Sequence, residues 1–332
     1  MLVFSLTVIS LFIIFFINKY RKDISKKTKL VDKPDRIRKL HKKPTPLLGG
    51  IMIFTSFLLI NLYLIFFRDL NLSSLIILAI CTGCLILGLI DDIKKISYKH
   101  KFLILIIIFL LVNLDANLQV NKVYLSTLDK VFYLNNFSIP ITVLCLLLLT
   151  NAINLIDGIN GLCILILIIL MMWMMNVFQN AEVLYIVLIL SLIYILKLNL
   201  NKNIFLGDSG SLFLGSFIGL NIIYNYNLEI SKIHYPIENI FIALMLPGLD
   251  MLRVFLIRIF NKKNPFTPDR THLHHILLKK GLNEASILSI FLLLILVPIL
   301  LNFFINVKSI YIILFYITSY IILILKLKKS LH

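Results

Sequence analysis

Polar segments divide this 332-residue chain into about eleven long, nearly uninterrupted apolar runs. They cover about 2–18, 47–67, 74–90, 102–114, 139–156, 162–178, 183–199, 211–226, 237–259, 285–304 and 307–325. A helix of about 20 apolar residues crosses the hydrocarbon of a bilayer while satisfying its own backbone donors and acceptors. The expected fold class is therefore an all-α polytopic membrane protein, with one integral-membrane domain over 1–332 and about eleven transmembrane helices. The run at 102–114 is short, and tilt or flanking residues must make up its length. Composition agrees. The chain is 60% hydrophobic and 15% charged, against about half and about a quarter in soluble domains. The first run lacks a basic start and a small-residue cleavage site, so it reads as a retained helix rather than a signal peptide. Four cysteines, Cys81, Cys84, Cys145 and Cys163, sit within apolar runs and read as packing residues.

The net charge of +17 suits either nucleic acid or a membrane surface, and its distribution decides. With the amino terminus outside and the carboxy terminus cytoplasmic, 28 of the 33 Lys and Arg residues fall in inner segments and 5 in outer ones. That asymmetry follows the positive-inside rule. It excludes nucleic acid as a partner, because the cations line an inner membrane surface. The longest outer segment alternates Val123 and Leu125 with Tyr124 and Ser126, which predicts a small outer hairpin near 118–134.

The same topology gathers the polar motifs on the inner side. Asp91 and Asp92 end one run, where membrane borders favour cations rather than acids. Asn151, Asn154 and Asp157 recur at i, i+3 and i+6, on one side of a helix. Gly158 and Gly161 then allow a tight break. Interhelical hydrogen bonding accounts for one such Asn but poorly for three polar groups. Asp208 opens a run within Gly207–Ser211, where a simple N-cap and a metal or phosphate site both fit; Asn203 nearby favours the second. His272, His274 and His275 follow Arg270 without the i, i+4 spacing of a zinc helix, so a phosphate-binding cluster fits better than zinc. Segment 32–50 carries cations and then Pro44, Pro46, Gly49 and Gly50, a shaped start to a helix. Asp250 faces Arg253 one turn on, as a structural ion pair or a catalytic acid.

In order along the chain, DxPxxxRKxHxxPxPxxGG from Asp32, the Asp91–Asp92 pair with Lys101 downstream, NxxNxxDGxxGL from Asn151, FxGDxGS around Asp208 and PDRxHxHH to His275 resemble the polyprenyl-phosphate N-acetylhexosamine-1-phosphate transferases. The resemblance implies a bacterial inner-membrane enzyme with its active site on the cytoplasmic face. It implies that a polyprenyl phosphate attacks a UDP-N-acetylhexosamine, leaving UMP and a lipid diphosphate-linked sugar. Magnesium is the implied cofactor, with manganese as a substitute. Asp157 and Asp208 are its expected ligands, with Asp91 as the alternative to Asp157, and Asp91 or Asp92 is the group that keeps the lipid phosphate deprotonated or accepts its proton. Lys101, Asn151, Asn154, Asn160, Asn203, Arg270, His272, His274 and His275 are expected on the substrates. The implied partners are the UDP-sugar, the polyprenyl phosphate and membrane lipid, and a homodimer stays open. The pattern HLHH resembles the branch that starts surface polysaccharides with N-acetylglucosamine. The peptidoglycan branch, the nearest alternative, tends to carry three consecutive histidines. A secondary transporter is a different class, but it calls for two similar halves, and no half-repeat is visible. One departure stands out: Asn160 occupies a position, near the nucleotide, where the family usually has Asp.

Overall fold

The computed structural model describes residues 2–34, 43–67, 71–178, 182–233, 235–262, 264, 271–305 and 307–329. Helix α1 (Leu2–Lys19) is followed by a short α2 (Arg21–Thr28). Two-residue strands β1 (Val31–Asp32) and β2 (Thr45–Pro46) then pair antiparallel, Val31 opposite Pro46. Next come α3 (Gly49–Phe67), α4 (Leu72–Lys94) and α5 (Tyr98–Phe109). The hairpin of β3 (Lys122–Leu125) and β4 (Lys130–Tyr133) leads to α6 (Ser138–Ile156), α7 (Leu162–Val177) and α8 (Glu182–Leu200). The chain closes with α9 (Gly207–Ile233), α10 (Ile237–Phe260), α11 (Leu273–Lys279), α12 (Glu284–Phe304) and α13 (Ser309–Lys329).

Every expected apolar run falls on helix. Eight helices among the described residues are long and apolar enough to cross a membrane. The remaining three runs are helical too, but fall short in length or in apolar character. α5 has 12 residues and tightens into a 3-10 stretch at Leu110–Leu114, so the short run at 102–114 is not one α-helix. α7 has 16 residues. α9 is long, at 27 residues, but carries Asn221, Asn225 and Asn227. The predicted hairpin is present, in the register Lys122 to Tyr133 and Leu125 to Lys130. Helices α2 and α11 and the β1–β2 pair lie in segments that hydropathy leaves blank. All four cysteines are free; Cys81, Cys84 and Cys163 are buried in the packing and Cys145 is exposed.

α9 is the axis on which the others pack. Its residues Leu212, Phe213, Leu214, Phe217, Ile218 and Leu220 have no exposed surface. Glycines let neighbouring backbones reach it, as small residues do between helices in lipid. A Cβ on Gly49 of α3 would meet Leu206 Cα at 2.8 Å, and one on Gly215 would meet Thr150 Cα of α6 at 2.9 Å. Ser10, Ser56 and Ser191 join α1, α3 and α8 through buried hydroxyls, with Ser10 to Ser191 at 2.9 Å and Ser56 to Ser191 at 3.0 Å.

Hydrogen bonds sort the connections into two ends. At one, Tyr124 N donates to Tyr226 Oη at 2.9 Å, Ser126 Oγ to Glu238 Oε1 at 3.0 Å, and Ser309 Oγ to Asn239 Oδ1 at 3.0 Å. At the other, residues from 32–47, 92–95, 157–160, 199–208 and 275–279 line common cavities. This is the grouping of segments that the lysine and arginine count anticipates.

Candidate active site

A cavity of about 550 Å³ opens at the second end, lined among others by Asp32, Asp92, Asp157, Asn160, Asp208 and His275. Each acid reaches it by a different local device. Gly207 adopts a left-handed conformation, φ 74°, turning the chain sharply into α9. This aims the first N–H groups of α9 at Asp92: Asp208 N donates to Asp92 Oδ1 at 3.0 Å and Ser209 N to Oδ2 at 3.1 Å. A carboxylate there complements the positive end of the helix. Asp92 therefore caps α9 from α4 while still lining the cavity.

Asp208, in the first turn, is held on both oxygens. Lys101 Nζ donates to Oδ2 at 2.7 Å and Asn154 Nδ2 to Oδ1 at 3.0 Å. The same lysine donates to Asp91 Oδ2 at 3.0 Å, and Asp91 Oδ1 accepts from Ile96 N at 2.5 Å. Lys101 thus bridges two acids. Asp91 is buried and anchors the α4–α5 turn instead of lining the cavity. Adjacent residues of the pair diverge by about 100° on a helix, which is why they take different tasks.

Asp157 caps the end of α6 just before the glycine break. No donor among the described residues reaches its carboxylate. Its pKa is pushed up to about 8, first by burial and then by the charges of Asp208 and Asp92. Of its i−3 and i−6 partners, Asn154 turns to Asp208 and Ser211, the latter at 2.8 Å. Asn151 donates to its own helix, to Leu147 O at 2.7 Å, and is not part of the cavity lining. Asn160 lines the cavity and donates to Glu284 Oε2 at 3.0 Å, while Lys202 holds the other oxygen at 3.2 Å. The site where the family has a carboxylate therefore has one nearby, on the first residue of α12.

The histidines separate. His272 is buried, and its Nδ1 pairs with Asp250 Oδ2 at 2.8 Å. Asp250 also accepts from Arg253 at 2.7 Å, Tyr320 Oη at 2.9 Å and Leu273 N at 3.0 Å. This clamp fixes the start of α11 against α10 and α13. His274 is fully buried; burial and the neighbouring His275 push its pKa down to about 3, so it is neutral. Its ring occupies the space a side chain would take at Gly158. Only His275 of the three lines the cavity. Asn203 lines a second, neighbouring cavity. Arg270 lies outside the described residues, as do 35–42 of the first motif. Among the described residues no three His, Cys, Asp or Glu side chains form a ready-made metal cage.

Sequence reasoning passed over Asn199, Tyr320 and Glu284. Asn199 accepts from Gly161 N at 2.5 Å and donates to Ile204 O at 2.9 Å. It thereby ties the DGING turn to the segment entering α9. A polar amide at the end of the run 183–199 was the available signal.

The profile of glycosyl transferase family 4 matches residues 74–225. A Bacillus subtilis protein named "Probable undecaprenyl-phosphate N-acetylglucosaminyl 1-phosphate transferase" is 30% identical over 296 residues, 86% of this chain and 80% of that protein. Two proteins named undecaprenyl-phosphate alpha-N-acetylglucosaminyl 1-phosphate transferase are similar as well. The one from Thermotoga maritima is 26% identical over 267 residues, 80% of this chain and 79% of that one. The one from Salmonella typhi is 28% identical over 298 residues, 84% and 77%. On these similarities the chain belongs to glycosyl transferase family 4, among the polyprenyl-phosphate N-acetylhexosamine-1-phosphate transferases.

Proposed function

We propose that this protein transfers N-acetylglucosamine 1-phosphate from a UDP-linked donor to undecaprenyl phosphate, as the opening step of a surface polysaccharide. The acceptor and the sugar follow the names that its relatives carry. The observation that supports the chemistry best is the convergence of Asp92, Asp157 and Asp208 on one cavity, with Lys101 locked behind them. An oxygen of the lipid phosphate attacks the sugar-bearing phosphorus. The bond to UMP breaks, and UMP leaves with its phosphate.

The residues fit magnesium. Among the described residues no donor meets the hard oxygens of Asp157, and magnesium commonly uses one or two carboxylates plus substrate phosphates. Asp157 and Asp208 would hold it, and it would supply charge neutralisation on the diphosphate. The remaining work falls to protein groups. Lys101 and Asn154 fix Asp208 in place. Asp92, which lines the cavity as Asp91 does not, would hold the proton of the lipid phosphate. His275, which lines the cavity, would meet the diphosphate.

The proposed topology has eleven crossings, with the amino terminus outside and the acid-bearing end in the cytoplasm of a bacterium. The excess of lysine and arginine in the segments of that end supports this orientation. Purified protein in nanodiscs, given undecaprenyl phosphate, magnesium and a panel of UDP-sugars, is expected to release UMP, fastest with UDP-N-acetylglucosamine. Release only with a UDP-muramoyl peptide would move the chain to the peptidoglycan branch. No release from folded protein with any of them would end the transferase reading.

A further inference from the structure

Beside the acid-lined cavity lies a larger one, of about 1050 Å³. Among the described residues eight lysine or arginine side chains line it against two aspartates, Asp32 and Asp92. Both aspartates, with Lys95 and Lys202, line the acid cavity too, so the two spaces adjoin. Nothing in the proposed chemistry uses the other cations, among them Arg21, Lys22, Lys26 and Lys29.

Orientation in the membrane asks only that cations lie on one side. Scattered, solvated lysines on a loose segment would meet it. Here the wall is built. Ser25 of α2 is buried, and its hydroxyl donates to Lys22 O at 3.1 Å. Lys29 adopts a left-handed conformation, φ 62°, which reverses the chain at the end of α2. That places Leu30 in the core, 3% exposed, where its carbonyl accepts from Leu47 N at 3.0 Å. Pro46 O then accepts from Phe205 N at 2.9 Å, and Phe205 O from Gly49 N at 3.0 Å. An unbroken set of backbone hydrogen bonds thus joins the basic wall to the segment that carries Asp208. A non-glycine residue held in the left-handed region is uncommon and needs such surroundings. A concave wall of one sign beside low-dielectric material concentrates counter-ions of the opposite sign.

We propose that this basic vestibule is an accessory binding site for phosphate esters, adjoining the acid cavity and raising the local concentration of the anionic substrate there. The second clause rests on the transferase reading; the first does not. A diphosphate on a soluble nucleotide-sugar and the headgroup of an anionic phospholipid share this chemistry, and the test separates them.

The vestibule variant Lys22→Gln/Lys26→Gln/Lys29→Gln removes three lining charges from α2 and its cap. A control, Lys27→Gln/Lys262→Gln/Lys280→Gln, removes three charges that do not line the vestibule. Calorimetric titration of detergent-solubilised protein with inorganic pyrophosphate, in EDTA, reads binding without turnover. The vestibule variant is expected to bind at least about fivefold more weakly than wild type, within the range of electrostatic focusing, and the control to match wild type. Equal binding by wild type and the vestibule variant, or equal weakening in both variants, overturns the site.

UMP release in nanodiscs identifies the occupant. In phosphatidylcholine alone, a raised KM for the donor with unchanged kcat in the vestibule variant marks the soluble diphosphate. Stimulation of wild type by phosphatidylglycerol, absent in that variant, marks the lipid headgroup. If neither difference appears, the vestibule does not serve the acid cavity. If no protein releases UMP while the pyrophosphate difference stands, the transferase reading fails and the anion site remains.

Discussion

Asp250 and Asp157 are the same residue type at the same end of the bundle, yet their surroundings are opposite. Asp250 is 2% exposed and accepts hydrogen bonds from Arg253, His272, Leu273 and Tyr320. Its charge is matched and its lone pairs are used. Asp157 accepts no bond from the described residues and sits beside two other acids. A buried charge is costly unless it is paired. One acid is therefore an element of structure, and the other is the one we propose for a cation. Burial alone does not distinguish the two acids; the donors each one meets do.

The largest way to break this contrast is at the two acids proposed to hold the cation, open Asp157 and Asp208, which Lys101 and Asn154 position. Asp157→Asn and Asp208→Asn are each expected to lower UMP release by about 1000-fold or more, since a bound divalent ion stabilises the transferring phosphate by several kcal/mol. Size-exclusion profiles should stay those of the wild type. Activity retained within tenfold would remove that residue from the cation site. Chelation of the wild type with EDTA should reproduce the loss and be reversed by magnesium.

At the closed acid, substitution strikes stability first. Asp250→Asn leaves Arg253, itself largely buried, without its counter-charge, a change that costs about 3–5 kcal/mol in buried pairs. A lower melting temperature in detergent is expected, with donor KM affected through the displaced start of α11. An unchanged melting temperature would place the clamp outside the packing.

Titration sharpens the contrast next. The folded pKa of Asp157, about 8, lies above the ordinary 3.8. The folded chain thus binds this proton more tightly than the unfolded one. The contribution of Asp157 to folding is full below about pH 4 and is lost as pH rises through 8. Magnesium competes with that proton, so its apparent affinity should rise about tenfold per pH unit from 6 towards 8. Magnesium titrations of UMP release at several pH values measure this, and a flat response would mean that Asp157 is not the ligand.

The smallest effect is expected at Asn160. Asn160→Asp would set a carboxylate against Glu284, but Lys202 already shares that charge and the pair is half exposed. Exposed pairs of this kind are worth about 1 kcal/mol or less. Donor KM should change by no more than about fivefold, and the added substitution Glu284→Gln should restore it.

Much of the site was legible without coordinates because its signals are local. A glycine break after Asn151, Asn154 and Asp157, or an Asp that opens an apolar helix, is written in a few adjacent residues. What was not legible depends on which way a residue faces. Asp91 and Asp92 are neighbours in the chain, and only the angle at which α4 meets α9 makes one an anchor and the other a cavity wall. His272, His274 and His275 look alike as letters. Their division into a clamp, a packed ring and a cavity residue follows from Asp250 and Gly158, 22 and 116 residues away from the histidines they meet.

Hydropathy and charge asymmetry by themselves determined a mostly helical membrane protein with its polar motifs at one end, because the bilayer accepts few backbone solutions and lysine placement follows its sides. The tertiary structure alone decided which acids are filled and which remain open, and that α2 with the β1–β2 pair forms a basic wall beside them. Coordination depends on donors brought from distant segments, and only the packing of α3, α4 and α6 around α9 brings those donors within reach.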